Sequence, residues 1–426
     1  MPHCLAIDGV YELDLKPTME ILAMGSTLNR TLTAASLLIG LAFGLTACDS
    51  SRLNFPGGRN ADSDYAPGDG LVPGAGDGAT KIAILLPLST SGKFGRVAKS
   101  MKNAAELALF DAGDKKVLLI PKDTGGTPGG ARKAAAEAVS EGARLILGPV
   151  FAGSVTAAGA VARSSNVPVI GFSTTTSVAG NGIYLLSMTP QEEVERIVDY
   201  TMKRGKTRFG ALIPQGGYGN VVSGALKRAV EQRGGKVIAV ERYNQSTGGL
   251  TGPTANIARL AAGSNPKIDA LMIAEGDPLL RQIAPLLSSS GLDRSRVKLI
   301  GTGLWGNPAI ASEPALRGGW FPSGPPGDRR NFEQRYREVY GTAPVAISSL
   351  AYDGVKLAGR LAAAAPEGGG ISRQALEDQA GFSGINGLFR FRSDGTPERG
   401  MSILEVTSSG FRVIDSGRDR FGGAAY

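Results

Sequence analysis

From Lys81 onward the chain alternates two textures. Short unbroken apolar runs, "KIAILLPL" (81–88), "KVLLIPKD" (116–123), "ARLILGPV" (143–150) and "VPVIGF" (167–172), are separated by longer stretches rich in small and apolar residues, "GRVAKSMKNAAELALFDAG", "GGARKAAAEAVSEG" and "SVTAAGAVARSSN". A strand with one wet face would alternate apolar and polar residues. These runs do not, so both faces must be covered, as in a parallel sheet clothed by helices. Each intervening stretch is long enough for the crossover that a parallel pair needs. The repeating unit is therefore βαβ.

After "QEEVERIVDYTMKRG" the same grammar starts again. "RFGALIP" (208–214), "KVIAVERY" (236–243), "IDALMIAEG" (268–276) and "VKLIGTG" (297–303) predict strands, with helices near 219–234, 253–263 and 278–290. The restart predicts a second lobe, as a chain too long for one hydrophobic core requires. "FEQRYREVYG" and "VAISSLAYDGVKLAGRLAAAA" then read as helices. In "GLFRFRSDGTPERGMSILEVTSSGFRVI" the Asp-Gly of "SDGT" predicts a hairpin turn between alternating flanks. The fold class is α/β: two doubly wound parallel-sheet lobes facing each other across a cleft.

Upstream of Lys81 neither texture is present. From Met24 the chain reads "MGSTLNRTLTAASLLIGLAFGLTAC", with one cation, Arg30, an uncharged apolar run from about Leu32 to Phe43, then small residues and Cys48. This is the plan of a secretory signal, too short to span a bilayer as a stable helix. The ending "LTAC" resembles the lipobox of bacterial lipoproteins, which implies cleavage before Cys48 and its acylation. Two or more acyl chains give stable membrane attachment. Residues 1–23 carry four carboxylates and do not fit a signal, so translation is expected to start at Met24, with residues 24–47 as the signal peptide. Asp49 to Thr80, rich in Gly, Asp, Pro and Ser, predicts a disordered tether, so that 48–80 form the anchor and its leash.

Composition narrows the chemistry. The only histidine is His3 and the second cysteine is Cys4, both upstream of the expected cleavage, so the mature chain has no imidazole and no thiol except Cys48. That excludes a Ser-His-Asp triad, a Cys-His pair and a His or Cys zinc site. The formal charge is +8, but the bases are scattered among acids and small residues with no Lys/Arg run, which argues against a nucleic-acid partner. "SRVK" (295–298) lacks the companion motifs of a penicilloyl serine enzyme, and "GGYGN" and "GGTPGG" lack the Lys-Ser/Thr of a phosphate loop. No catalytic set, metal or cofactor is expected.

In open α/β sheets ligands bind beyond the carboxyl ends of the strands. In the first lobe those loops are "LSTSGKFG" (88–95), "GPVFAGS" (148–154) and "FSTTTS" (172–177), which nominate Ser89, Ser91, Phe94, Phe151, Ser154, Ser173, Thr174, Thr175 and Thr176. Hydroxyls beside helix amino termini form a receptacle for a carboxylate. In the second lobe "PQGGYG" (214–219), "AEGDP" (274–278) and "GTGLWGNP" (301–308) nominate Tyr218 and Trp305 to stack on or cover a ligand.

The stretches "AILLPLSTSGKFGRVAKSMKNAAELAL", "LILGPVFAGSVTAAGAVARSSNVPVIGFSTTT", "RFGALIPQGGYGNVVSGALKRAVEQRGGKVIAVERY" and "FEQRYREVYGTAPVAISSLAYDGVKLA", in this order, resemble the type I periplasmic binding proteins of the leucine/isoleucine/valine-binding group. The resemblance implies two lobes joined by three crossovers: 81–190 with about 310–382, and 191–309 with about 383–426. It also implies an acid after the last cleft strand to hold a ligand ammonium. Gly303 stands there instead, and Glu275 or Asp277 is expected to substitute. Two roles follow. One is a non-enzymatic, lipid-anchored receptor, in the periplasm on the inner or outer membrane, that delivers an amino acid or related solute to an ABC permease. The other is a regulator of peptidoglycan synthesis, because the chain also resembles the lipoproteins that activate penicillin-binding proteins by contact with the synthase.

Overall fold

The computed structural model describes residues 78–112, 116–245, 248–366 and 369–422. Its first strand, β1 (Thr80–Leu86), shows why that run carries no polar position: Ile82, Ile84 and Leu86 enter one core, Ala83 and Leu85 another, all without exposed surface. In chain order follow α1 (Gly92–Ala112), β2 (Val117–Asp123), α2 (Pro128–Ser140), β3 (Leu145–Leu147), α3 (Ala152–Ser164), β4 (Val169–Gly171) and β5 (Ile183–Leu185). The strands form a parallel sheet of order β2-β1-β3-β4-β5. Residues of α2 and α3 share the core of Ala83 and Leu85, while those of α1 share the core of Ile82 and Ile84. Each fully buried aliphatic side chain contributes about 1.5–3 kcal/mol, so two-sided burial keeps β1 central.

The chain then crosses to a second lobe. Thr189 caps the next helix, α4 (Pro190–Met202), by accepting the Glu192 N–H, and Pro190 occupies the first turn, where its missing N–H costs nothing. Next come β6 (Arg208–Pro214), α5 (Gly217–Glu231), β7 (Lys236–Tyr243), α6 (Thr251–Leu260), β8 (Ala270–Ile273), α7 (Leu279–Ser289), β9 (Lys298–Gly301) and β10 (Trp320–Ser323). Two helices, α8 (Pro326–Tyr340) and α9 (Ser348–Ala364), return to the first lobe, where Tyr336, Leu350 and Leu357 join the core against α1. They lead into β11 (Phe382–Gly384), β12 (Gly387–Phe391) and β13 (Pro397–Arg399), and β14 (Ser402–Thr407) and β15 (Gly410–Asp415) are the last strands, in the second lobe. The second sheet has the order β15-β14-β10-β9-β8-β6-β7, parallel except at β14 and β15.

Three connections join the lobes: Leu186–Thr189, Gly324–Pro325, and the short link from Arg399 to Ser402. Two lobe boundaries differ from the sequence reading. Residues 310–323 lie in the second lobe, because β10 pairs with β9 and β14. Residues 383–401 lie with the first, because the hairpin closed by "SDGT" alternates Phe389 and Phe391 into the first lobe's core. The second lobe's own hairpin is β14–β15, turning at Ser408–Ser409. The α/β class and the βαβ repeat are as expected. The signal segment, Cys48 and nearly all of the tether lie outside the described residues. Among the described residues no helix is long and apolar enough to cross a membrane.

Candidate functional site

The first-lobe loops follow β1, β3 and β4. Gly148, after β3, has φ +84°, and a Cβ there would stand 2.4 Å from the Leu85 carbonyl, so only glycine lets this loop close against β1. The loop delivers Phe151, whose ring meets that of Phe94 edge to face at 5.3 Å, and then Ser154 in the first turn of α3. Ser154 is 1% exposed and its Oγ has no hydrogen-bond partner in the structure. An orphan hydroxyl at that depth is uncommon and costs about 1–3 kcal/mol.

After β4 the hydroxyls serve different ends. Ser173 is buried and its Oγ accepts the Thr175 N–H at 3.1 Å, while its carbonyl accepts the Ser187 hydroxyl, so Ser173 shapes the turn. Thr174 and Thr175 are half-buried, and Thr176 Oγ1 accepts a 3.3 Å hydrogen bond from Gln191 Nε2 of α4. The loop thereby touches the first crossover. Ser89 and Ser91 are exposed, and the Ser89 N–H donates to Asp123.

The second-lobe side chains are occupied within their own lobe. Tyr218 is half-buried with its hydroxyl 2.8 Å from Thr302 Oγ1. Three of the nominated residues are held by their own lobe. Trp305 has no exposed surface: its Nε1 donates to the Ile273 carbonyl, and its ring lies over Gly301 and Gly319, where a Cβ would come within 2.2 and 2.6 Å of it. Trp305 is a core residue of the second lobe, rather than an exposed ring at its rim. Glu275 is 4% exposed and accepts hydrogen bonds from the Tyr243 hydroxyl at 2.6 Å, Gln245 Nε2 at 2.9 Å and the Gly276 N–H at 3.0 Å. Burial, and then the Glu275 charge, push the Tyr243 phenol well above its ordinary range. Asp277 pairs with Arg281 one turn along the chain. Both acids are engaged within the second lobe.

The acid nearest the anomalous glycine comes from another element. Glu193, on α4, accepts the Gly303 N–H at 3.0 Å, and its Oε1 lies 2.4 Å from where a Cβ at position 303 would stand. Burial raises its carboxyl to about 7. Around it, at the crossovers, sit Glu192, Arg399 and Asp353, none of which the loop-by-loop sequence reading picks out. The adjacent acids of "QEEVE" are visible in the sequence, but nothing there brings Arg399 to them. Two cavities lie elsewhere: about 410 Å³ beside β2 and α2, including Lys122 and Lys133, and about 280 Å³ between α1, α8 and α9, including Asp111 and Arg335.

Residues 79–411 match the periplasmic binding protein family. The chain belongs to this family. A curated relative, an uncharacterised protein of Rickettsia prowazekii (strain Madrid E), is 23% identical over 225 residues, 52% of this chain and 59% of the relative, so the match spans about three fifths of that protein. Among solved structures, an ABC transporter substrate-binding protein from Sphaerobacter thermophilus superimposes with a TM-score of 0.64 at 19% identity, covering 80% of this chain and 97% of that one. The branched-chain amino acid transporter substrate binding protein LivJ of Streptococcus pneumoniae, in complex with isoleucine, gives 0.56 at 17%, covering 79% and 99%. A solute binding protein of an ABC transporter from R. palustris, in complex with benzoate, gives 0.56 at 17%, covering 82% and 99%. These likenesses establish the type I periplasmic binding fold.

Proposed function

We propose that this protein is a non-enzymatic receptor of the cell envelope, anchored through acylated Cys48, that captures an amino acid or related small carboxylate between its lobes for an ABC-type permease. The observation that carries this reading is Ser154: a buried, unpartnered hydroxyl in the first turn of a helix, at the carboxyl end of a cleft strand. A ligand carboxylate there gains the hydroxyl donor and the free N–H groups of the first turn of α3. Thr174, Thr175 and Thr176 stand on the loop after the neighbouring strand β4, the paired rings of Phe94 and Phe151 offer one wall, and Tyr218 of the second lobe is the candidate for the other. Binding energy then shifts the lobes from open toward closed.

Isothermal titration of the purified chain with a panel of amino acids and aromatic carboxylates tests this. Submillimolar affinity that falls at least tenfold in Ser154→Ala is the expected result, and silence across the panel overturns it. One observation favours the second reading, contact regulation of a peptidoglycan synthase: Trp305 and Glu275 turn inward and Asp277 pairs with Arg281, leaving the second lobe few groups for a solute. Capture of a purified synthase by a chain silent in titration would select that role.

A further inference from the structure

The crossovers enclose a buried charge that lacks a counter-ion at contact distance. Arg399, at the end of β13 and 6% exposed, donates from Nε to the Ser187 carbonyl at 2.8 Å and lies over the Phe389 ring at 5.3 Å. Its Nη1 and Nη2 are buried with no hydrogen-bond partner in the structure. Three carboxyl groups surround it without forming an ion pair with it. Asp353, on α9 of the first lobe, is 3% exposed; its Oδ1 accepts the Ile385 N–H at 2.7 Å and its Oδ2 has no hydrogen-bond partner. Glu193, on α4 of the second lobe, is held by the Gly303 N–H. Glu192, beside it, lies 3.6 Å from Arg392 of the β12–β13 turn.

An unpaired guanidinium and an unpaired carboxylate oxygen, both out of water, are unfavourable to keep apart. Any movement of one lobe on the other that supplies a partner recovers part of that cost. The donors belong to a crossover strand, and the acceptors to different lobes. We propose that Arg399 exchanges carboxylate partners across the hinge, Asp353 of the first lobe against Glu193 of the second, and that this exchange makes the angle between the lobes depend on proton concentration. A protonated Glu193 exerts little pull on Arg399, whereas an ionised one attracts it and draws the second lobe's α4 toward the third crossover. Burial raises Asp353 to about 6, Glu193 to about 7 and Glu192 to about 8, against the opposing pull of Arg399 on each and of Arg392 on Glu192. Glu195 and Glu398 also face Glu192, and Tyr352 is beside Asp353. The cluster therefore changes charge within the physiological range, at the place where the lobes pivot.

The inference concerns the hinge and needs no solute. Its test is the distance between spin labels on the full, ligand-free chain, with Cys4 and Cys48 replaced by serine and labels at Lys133→Cys of the first lobe and Lys227→Cys of the second. The expected result is a distance distribution that differs between pH 5.5 and pH 8.5 and becomes independent of pH in Glu193→Gln and in Arg399→Met. In Glu193→Gln the amide oxygen still accepts the Gly303 N–H, so that variant decides the matter if Arg399→Met does not fold. Arg399→Lys should restore part of the shift. A wild-type distribution identical at the two pH values, or a shift that survives in Glu193→Gln, overturns the proposal. Neither outcome bears on whether a solute binds.

Discussion

The two rims of the cleft are built from the same βαβ loops and spend their polar groups differently. On the first rim Ser154 is buried with its hydroxyl unpartnered, and Thr174 and Thr175 stand half-open. On the second, Tyr218 meets Thr302, Glu275 holds Tyr243 and Gln245, Asp277 holds Arg281, and Trp305 fills the core. The difference teaches that a loop at the carboxyl end of a strand is an opportunity for a ligand, not an assignment: whether a side chain is available depends on what else in its lobe needs it.

The comparison breaks most sharply at Trp305. Trp305→Ala should cost about 3–5 kcal/mol, because a fully buried indole leaves a cavity and an orphaned Ile273 carbonyl. Urea unfolding would show it, and a loss below 1 kcal/mol would return Trp305 to the rim. The seam between the rims gives the next effect. Asp353, Glu193 and Glu192 have folded-state values raised by burial to about 6, 7 and 8, so the folded chain holds protons that the unfolded chain releases near 4 to 4.5. The stability that these three groups contribute is therefore full below about 4 and is lost as pH rises through 8. Melting temperature should decline across that window, and less steeply in Glu193→Gln.

Smaller effects refine the contrast. Tyr243→Phe removes one of three donors from buried Glu275 and should cost about 1–2 kcal/mol without altering solute affinity. Ser154→Ala should do the reverse, weakening solute binding about tenfold or more while leaving stability unchanged or up to about 1 kcal/mol higher, since it deletes an unsatisfied hydroxyl. Asp277→Asn should move stability by less than about 0.5 kcal/mol, as its Arg281 partner is half-buried and still reaches solvent. An effect on affinity in that variant would place Asp277 back among the ligand contacts.

Much of the fold was legible because burial on two faces leaves a one-dimensional trace. The apolar run at 81–88 covers all of β1 but Thr80, and the run at 208–214 is β6. The three-residue β5 and the four-residue β10 left no such trace, because only short 3-10 turns precede them and the strand–helix alternation that marks the other strands breaks there. The candidate site was legible in part. Position relative to strand ends located the loops, but inward or outward orientation at Trp305 and Glu275 followed from Gly301, Gly319 and Tyr243, whose nearness is tertiary.

By itself the sequence determined the βαβ grammar, its restart after α4 and the absence of imidazole chemistry from the folded body, since each is a matter of local spacing or residue inventory. Only the tertiary structure decided which lobe owns β10 and the "SDGT" hairpin, that Glu193 fills the space at Gly303, and that Arg399 is enclosed among acids from both lobes. Several of those facts join residues far apart in the chain, 110 positions in the case of Glu193 and Gly303, and a pairing of buried charges at that separation is set by how the crossovers bring the chain back, which no local pattern records.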